Sequence, residues 1–294
     1  MTGKLFYLDP GAKSIYTVGV DGSDMTVIVK DRPHVPDGIV VDALRKHIYW
    51  TEMGEMEGDK DDGSIWRSDI DGSNITPIIH VGGTHTPKQL TISVDIGKLW
   101  WCDREGMRIM SCNLDGSERT VLFDQCPRGT PFDTAKKDER NHCVGITVDS
   151  ASQTVYWTQK GPPKGFEGRI CRGSLGTGGA VETLLRGLPE PIDLETCTVR
   201  GIKYLYWTDR GREPDGNSVN RCAVADDGTV GEVEVLMRGF NETIGLAIDH
   251  SREFMYVTDL GGSIYKAKLD GSEKKVLVSG KEGHHLTGIW YADL

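Results

Sequence analysis

The stretch Tyr204-Leu-Tyr-Trp-Thr-Asp209 decides the architecture, because the chain carries a version of it six times. The other copies are Lys4-Leu-Phe-Tyr-Leu-Asp9, His47-Ile-Tyr-Trp-Thr-Glu52, Lys98-Leu-Trp-Trp-Cys-Asp103, Thr154-Val-Tyr-Trp-Thr-Gln159 and Phe254-Met-Tyr-Val-Thr-Asp259. Their last residues fall 43, 51, 56, 50 and 50 positions apart. Spacings of this size mark a propeller or another repeat array.

Working outward from the motif, each unit reads the same way. An apolar strand comes first, as in Gly38-Ile-Val-Val-Asp42 or Gly245-Leu-Ala-Ile-Asp249, then a short polar turn, then the aromatic motif. A third strand such as Ser64-Ile-Trp-Arg-Ser-Asp-Ile70 ends in Asp-Gly-Ser, a tight hairpin turn, and a short β-branched strand closes the unit. Four antiparallel strands per unit predict an all-β fold, a six-bladed β-propeller. The blades are expected over 4–30 completed by 286–292, then 36–80, 88–123, 143–186, 192–238 and 243–279, as one domain of 294 residues. Residues 4–30 supply only three strands, so the missing inner strand is assigned to Leu286-Thr-Gly-Ile-Trp-Tyr-Ala292. Closure of this kind hides sheet edges.

The motif resembles that of the YWTD propellers of low-density-lipoprotein receptors, and the resemblance covers essentially the whole chain. It implies that the motif's Tyr, Trp, Thr and Asp side chains pack and pin blades, so Asp9, Glu52, Asp103, Asp209 and Asp259 are read as structural. It also implies a protein-binding role. The receptors follow each propeller with a cysteine-rich module; no such module follows the sixth repeat here, and a stand-alone domain is expected.

Composition narrows the function classes. With 34 basic and 44 acidic residues the net charge is −10, and no basic stripe suited to nucleic acid is present. No apolar run reaches membrane-spanning length. The seven cysteines show no metal spacing. Cys126 and Cys143 bracket a long irregular stretch and are placed to bridge it, but buried reduced thiols are the simpler reading. That reading, with no secretory signal at Met-Thr-Gly-Lys, favours a cytoplasmic setting over a secreted one.

Loop lengths tell the two faces of the ring apart. The turns joining strands one to two and three to four are short, whereas 53–63, 160–168, 210–217 and the link 124–142 are long. Long loops on a rigid scaffold are where binding and catalysis concentrate. The residues just before the inner strands are therefore expected to ring the mouth of the channel. His142 and His285 are candidate catalytic proton donors, and Asp37, Gln89, Asp193 and Glu242 candidate substrate contacts, beside Lys88, Asn141, Asn241 and His284. Trp66, directly after the acidic loop 53–63, is a candidate stacking surface. The equivalent positions Tyr16, Met110, Cys171, Asn220 and Tyr265 are read as packing between blades.

No nucleophile elbow, phosphate loop, dinucleotide fingerprint or His-Glu-x-x-His occurs, and no cofactor is expected. Asp59-Lys-Asp-Asp-Gly63 lacks EF-hand spacing, which disfavours calcium. The preferred reading is a cofactor-independent enzyme on a small, largely apolar molecule, such as a cyclase or hetero-Diels–Alderase. Receptor-like protein binding on the decorated face is the alternative, and a calcium-dependent lactonase the weaker one.

Overall fold

The computed structural model describes residues 3–55, 60–176, 179–225 and 227–294. Within them lie six four-stranded antiparallel sheets, one per repeat, arranged as the blades of a propeller. Blade 2 is representative: Pro36–Asp42 is innermost, followed outward by His47–Glu52, Gly63–Asp69 and Thr76–Thr84. In blade 1 the inner strand is Ile289–Asp293, paired antiparallel to Gly3–Asp9 with Gly3 opposite Asp293 and Tyr7 opposite Ile289. The two ends of the chain thus share one sheet, as the repeat pattern predicts.

Every blade is buried on both faces, which is why the motif strands are almost uninterruptedly apolar. Neighbouring residues of one strand serve different cores. Trp50 packs with Phe6, Ile15 and Ile39 between blades 1 and 2, whereas Tyr49 packs with Leu90 and Trp101 between blades 2 and 3. Trp50, Trp101, Trp157 and Trp207 are all essentially inaccessible, and side chains of this size dominate core energetics. The Asp-Gly-Ser turns press on the preceding blade: Gly72 adopts φ 85°, and a Cβ there would lie 1.8 Å from the Ile28 carbonyl oxygen. Only glycine fits that turn.

The motif threonines join blades. The Thr158 hydroxyl accepts the Gly145 N–H of its own inner strand at 2.8 Å and donates to the Ile192 carbonyl of the next at 2.6 Å. Thr51, Thr208 and Thr258 make the same bridge to Lys88, Ile244 and Thr287. Blade 1 has Leu8 instead, and there Gly288 N–H donates directly to the Asp37 carbonyl at 2.7 Å. The motif carboxylates cap backbone N–H groups at the links: Asp103 accepts from His85 and Thr86, Asp209 from Glu190 and Gly211, Asp259 from Asn241 and Ser263.

All seven cysteines are free thiols. Cys143 is buried with its sulfur 3.3 Å from the Arg108 carbonyl oxygen, and the Cys126 sulfur faces Thr130, so the bridge weighed from the sequence does not form.

Candidate functional site

The long loops surround a cavity of about 990 Å3 on one face of the ring. Its geometry begins in the inner strands. In blades 2 to 6 each inner strand slips by one residue against its neighbour close to this face, for example between Pro36 and Ile39 and between Pro191 and Leu194. A bulge of this kind re-aims a side chain. The re-aimed residues are Asp37, Lys88, Val144, Ile192 and Ile244; with Thr287 of blade 1 they all line the cavity, one from each blade.

This ring is divided. Thr287, Asp37 and Lys88 form a polar arc, and Val144, Ile192 and Ile244 an aliphatic one, packed with Leu260 into a small cluster. Lys88 Nζ lies 2.8 Å from Asp37 Oδ1, and Gln89 Nε2 donates to Asp37 Oδ2 and to its carbonyl oxygen, both at 3.2 Å. One residue further in, four blades carry glycine and two do not. Gly38, Gly145, Gly245 and Gly288 let the inner strands approach closely; a Cβ on Gly145 would meet the Ile192 carbonyl oxygen at 2.2 Å. The exceptions are Gln89 and Asp193.

Asp193 is buried under the ring, with Oδ1 accepting the Leu194 N–H at 2.9 Å and Oδ2 the Leu246 N–H at 3.0 Å. Burial pushes its carboxyl up to about 7, against those two N–H groups. Two residues along the same strand, burial and the neighbouring Asp193 push Glu195 up to about 8.

The loops add the upper wall. Arg104 and Glu105 form an ion pair at 2.6 Å. Burial raises Glu105, but the Arg104 guanidinium outweighs it and holds the carboxyl at about 2. Lys160 pairs with Glu139 of the link 124–142, whose short helix Phe132–Ala135 carries Lys136 and Lys137 just beyond its end. His142 closes that link: its Nε2–H donates to the Lys136 carbonyl at 2.7 Å, which leaves Nδ1 as an acceptor, and burial lowers its pKa. His285, on the opposite rim, donates from Nδ1 to the Leu260 carbonyl at 2.8 Å.

Of the residues singled out from the sequence, Asp37, Gln89, His142 and His285 line the cavity and are brought together. Asp193 lies beneath them. Glu242 and Trp66 are outside the lining. Glu242 pairs with Lys164 at 3.0 Å on the rim. The Trp66 indole donates to Ser64 Oγ and lies under the Arg32 guanidinium, 4.4 Å from its ring centroid, in the core between blades 1 and 2. Of the acidic loop, Glu57 and Asp59 lie outside the described residues; Glu55 pairs with Lys60. Among the described residues no three His, Cys, Asp or Glu side chains gather as a set that holds a metal ion. The sequence reading missed Val144, Ile192, Ile244 and Thr287. Superposing the six inner strands on their aliphatic residue (Ile39, Leu90, Ile146, Leu194, Leu246, Ile289) exposes them two positions earlier.

A ring of six YWTD blades around one ligand-sized mouth cavity defines a class of propeller. No family model matches the sequence. A Pyricularia oryzae protein named low-density lipoprotein receptor-related protein 1 is 46% identical over 274 residues, 88% of this chain and 86% of that one. The chain therefore belongs to the YWTD β-propeller family of low-density-lipoprotein-receptor type. The 3-hydroxyacyl-CoA dehydrogenase-like protein LAM1 of Cochliobolus heterostrophus is 38% identical over 97% of this chain, which spans 64% of that protein's length. Among solved structures, a chain of the crystal structure of a nidogen/laminin complex superposes with a TM-score of 0.76 at 20% identity, covering 99% of this chain and 98% of that one. A luciferin-regenerating enzyme superposes with a TM-score of 0.61 at 12% identity over 86% and 78% of the two chains. At these identities both superpositions establish the fold.

Proposed function

We propose that the protein is an enzyme that holds a small molecule in the mouth cavity and acts on it with its own side chains, as a cyclase or cycloaddition catalyst of the hetero-Diels–Alder type. The observation that carries this reading is the cavity itself. Its volume of about 990 Å3 sits at the upper end of the range for small-molecule sites, and it is concave, with a few fixed polar groups converging on an aliphatic floor. A substrate laid on Val144, Ile192 and Ile244 has its reacting ends oriented, and orientation alone removes much of the barrier of a ring closure. The Lys88 ammonium, held by Asp37, stands ready to donate to a carbonyl as its electron density rises, and electrostatic help of this kind needs no reorganisation. Neutral His142 and the rim His285 supply the proton positions. The dehydrogenase-like name of LAM1 and the likeness in fold to a luciferin-regenerating enzyme support an enzymatic reading.

Protein binding is the second reading. It draws on the name of the Pyricularia relative, on the nidogen/laminin neighbour, and on Phe132 and Phe166, both well exposed on the same face. A lactonase-like hydrolase needs a calcium ligand set, and here Lys88 already engages the mouth carboxylate Asp37.

Thermal unfolding with three additions separates these readings: small apolar metabolites, peptides, and calcium with a chelator control. A ligand of the native state raises the midpoint by mass action, by about 2.7 kcal/mol at a hundredfold excess over its Kd. Stabilisation by metabolites, lost on Ile192→Trp, supports the enzyme. Stabilisation by peptides alone, unaffected by Ile192→Trp, rules it out.

A further inference from the structure

The charge around the mouth runs against the charge of the chain. The protein carries −10 overall, yet the cavity is lined by eight lysines and arginines and four carboxylates. Five of the eight cations lie in one sector formed by blade 3, blade 4 and the link between them: Lys88, Arg104, Lys136, Lys137 and Lys160. Four carboxylates answer them. Asp37 pairs with Lys88, Glu105 with Arg104, Glu139 with Lys160 and the exposed Asp133, outside the lining, with Lys136, so among the described residues the sector keeps an excess of one positive charge, which falls to Lys137. His142, within the same sector, does not add to it, because burial favours its neutral form.

This arrangement is more than a wetted rim. The Lys88 and Lys160 side chains are only 11% and 9% exposed, and taking ion pairs out of water costs stability that closing a ring of blades does not require. Across the cavity lie Ile192, Ile244 and Leu260 on the floor, and the one cation of their two blades in the lining, Arg210, is paired with Glu190. A low-dielectric wall opposite a cationic one focuses the field into the space between.

We propose that the cavity selects an amphiphile, its single anionic group against the Lys88–Arg104–Lys137 sector and its apolar body on Ile192, Ile244 and Leu260. This deepens the enzyme reading, on which it rests, by fixing the class of substrate as a carboxylate or a comparably anionic acyl derivative and by fixing which end of it points where. A molecule so oriented presents its chain, not its charged end, to the floor above Asp193.

Titration calorimetry with three probes of one chain length tests it: decanoate, decanol and decylamine, each below its micellar concentration. Decanoate is expected to bind about tenfold tighter than decanol and to weaken as salt rises from 0.05 to ~0.5 M, while decanol is insensitive to salt. Lys137→Glu, at an exposed position that folding tolerates, is expected to abolish the preference for decanoate and leave decanol binding unchanged. Equal binding of all three probes, or tightest binding of decylamine, overturns the inference. If that binding is nevertheless lost on Ile192→Trp, the small-molecule cavity stands without its anionic end. No binding by any probe overturns the amphiphile, and the metabolite series above then decides the enzyme reading separately.

Discussion

Replacing Thr158 by valine removes one hydroxyl and almost no volume, which makes it a clean test of how the blades are joined. The hydroxyl serves two buried backbone groups, the Gly145 N–H and the Ile192 carbonyl, and the side chain has no solvent contact. Each backbone group left unpaired costs about 1–3 kcal/mol. Blade 1 shows how part of that cost is recovered: without a threonine, Gly288 N–H reaches the Asp37 carbonyl directly. In blade 4 the valine methyl group takes the hydroxyl's place between the strands and holds such a closure partly open, so the net loss for Thr158→Val is expected to be ~3 kcal/mol. Thr158→Ser keeps the hydroxyl and deletes a single methyl group, at a cost of about 1 kcal/mol. For a chain of this size the valine variant should then melt roughly 6 °C below the parent, and the serine variant roughly 2 °C below it. Calorimetry, with urea unfolding followed by tryptophan fluorescence, measures both. If valine proves no worse than serine, the threonine bridges are incidental and the ring is held by its aromatic cores alone.

Two further expectations follow from buried groups. Glu195 and Asp193 have folded pKa values raised by burial to about 8 and about 7, so the native state holds their protons longer than the unfolded chain does. Their contribution therefore declines as pH climbs from about 4.5 to about 8, and Glu195→Gln should gain stability over the parent progressively across that window; a constant difference from pH 5 to 8.5 contradicts the placement. Cys126 is half-buried while the other six cysteines are buried, so a thiol reagent should titrate about one sulfur in the native protein and all seven after denaturation. Rapid native-state reaction of two or more contradicts the packing around Cys102, Cys143 or their neighbours.

The fold was legible in the sequence because its determinants are local and repeated: alternating aromatic residues, Asp-Gly-Ser turns and a fixed interval. Closure was legible too, since a blade lacking its first strand must find it elsewhere. The site was legible only in part. Residues before each inner strand were expected at the mouth, and Asp37, Gln89, His142 and His285 are there. The bulge that the inner strands of blades 2 to 6 make next to the mouth is marked in three of them only by a glycine (Gly38, Gly145, Gly245), which does not say which neighbouring side chain turns inward. The ring was therefore expected at His142, Asp193 and Glu242, where the structure turns Val144, Ile192 and Ile244 inward. Aliphatic residues in a strand look like core, and nothing in one sequence says that a bulge has aimed them into a cavity. Trp66 was drawn to the mouth by its position after a long loop, but Arg32 of the preceding link covers its ring. Arg104, Lys136, Lys137 and Lys160 were invisible for another reason. Their concentration emerges only when blades 3 and 4 are folded side by side, and along the chain they disappear into an acidic average.

The shared first blade has a consequence for how the protein is made. Gly3–Asp9, Ser14–Gly19 and Thr26–Val29 leave the ribosome before the other five blades, but their partner Ile289–Asp293 follows some 260 residues later. At the usual speed of translation that is a delay of roughly 15–50 s. Throughout it the nascent chain displays an open row of backbone donors and acceptors along Gly3–Asp9, while five later blades acquire all their strands in turn. Any other extended segment within reach competes for that row, including the Ile289–Asp293 strand of a second copy, which makes exchange of that strand between molecules a misassembly to which this ring is exposed.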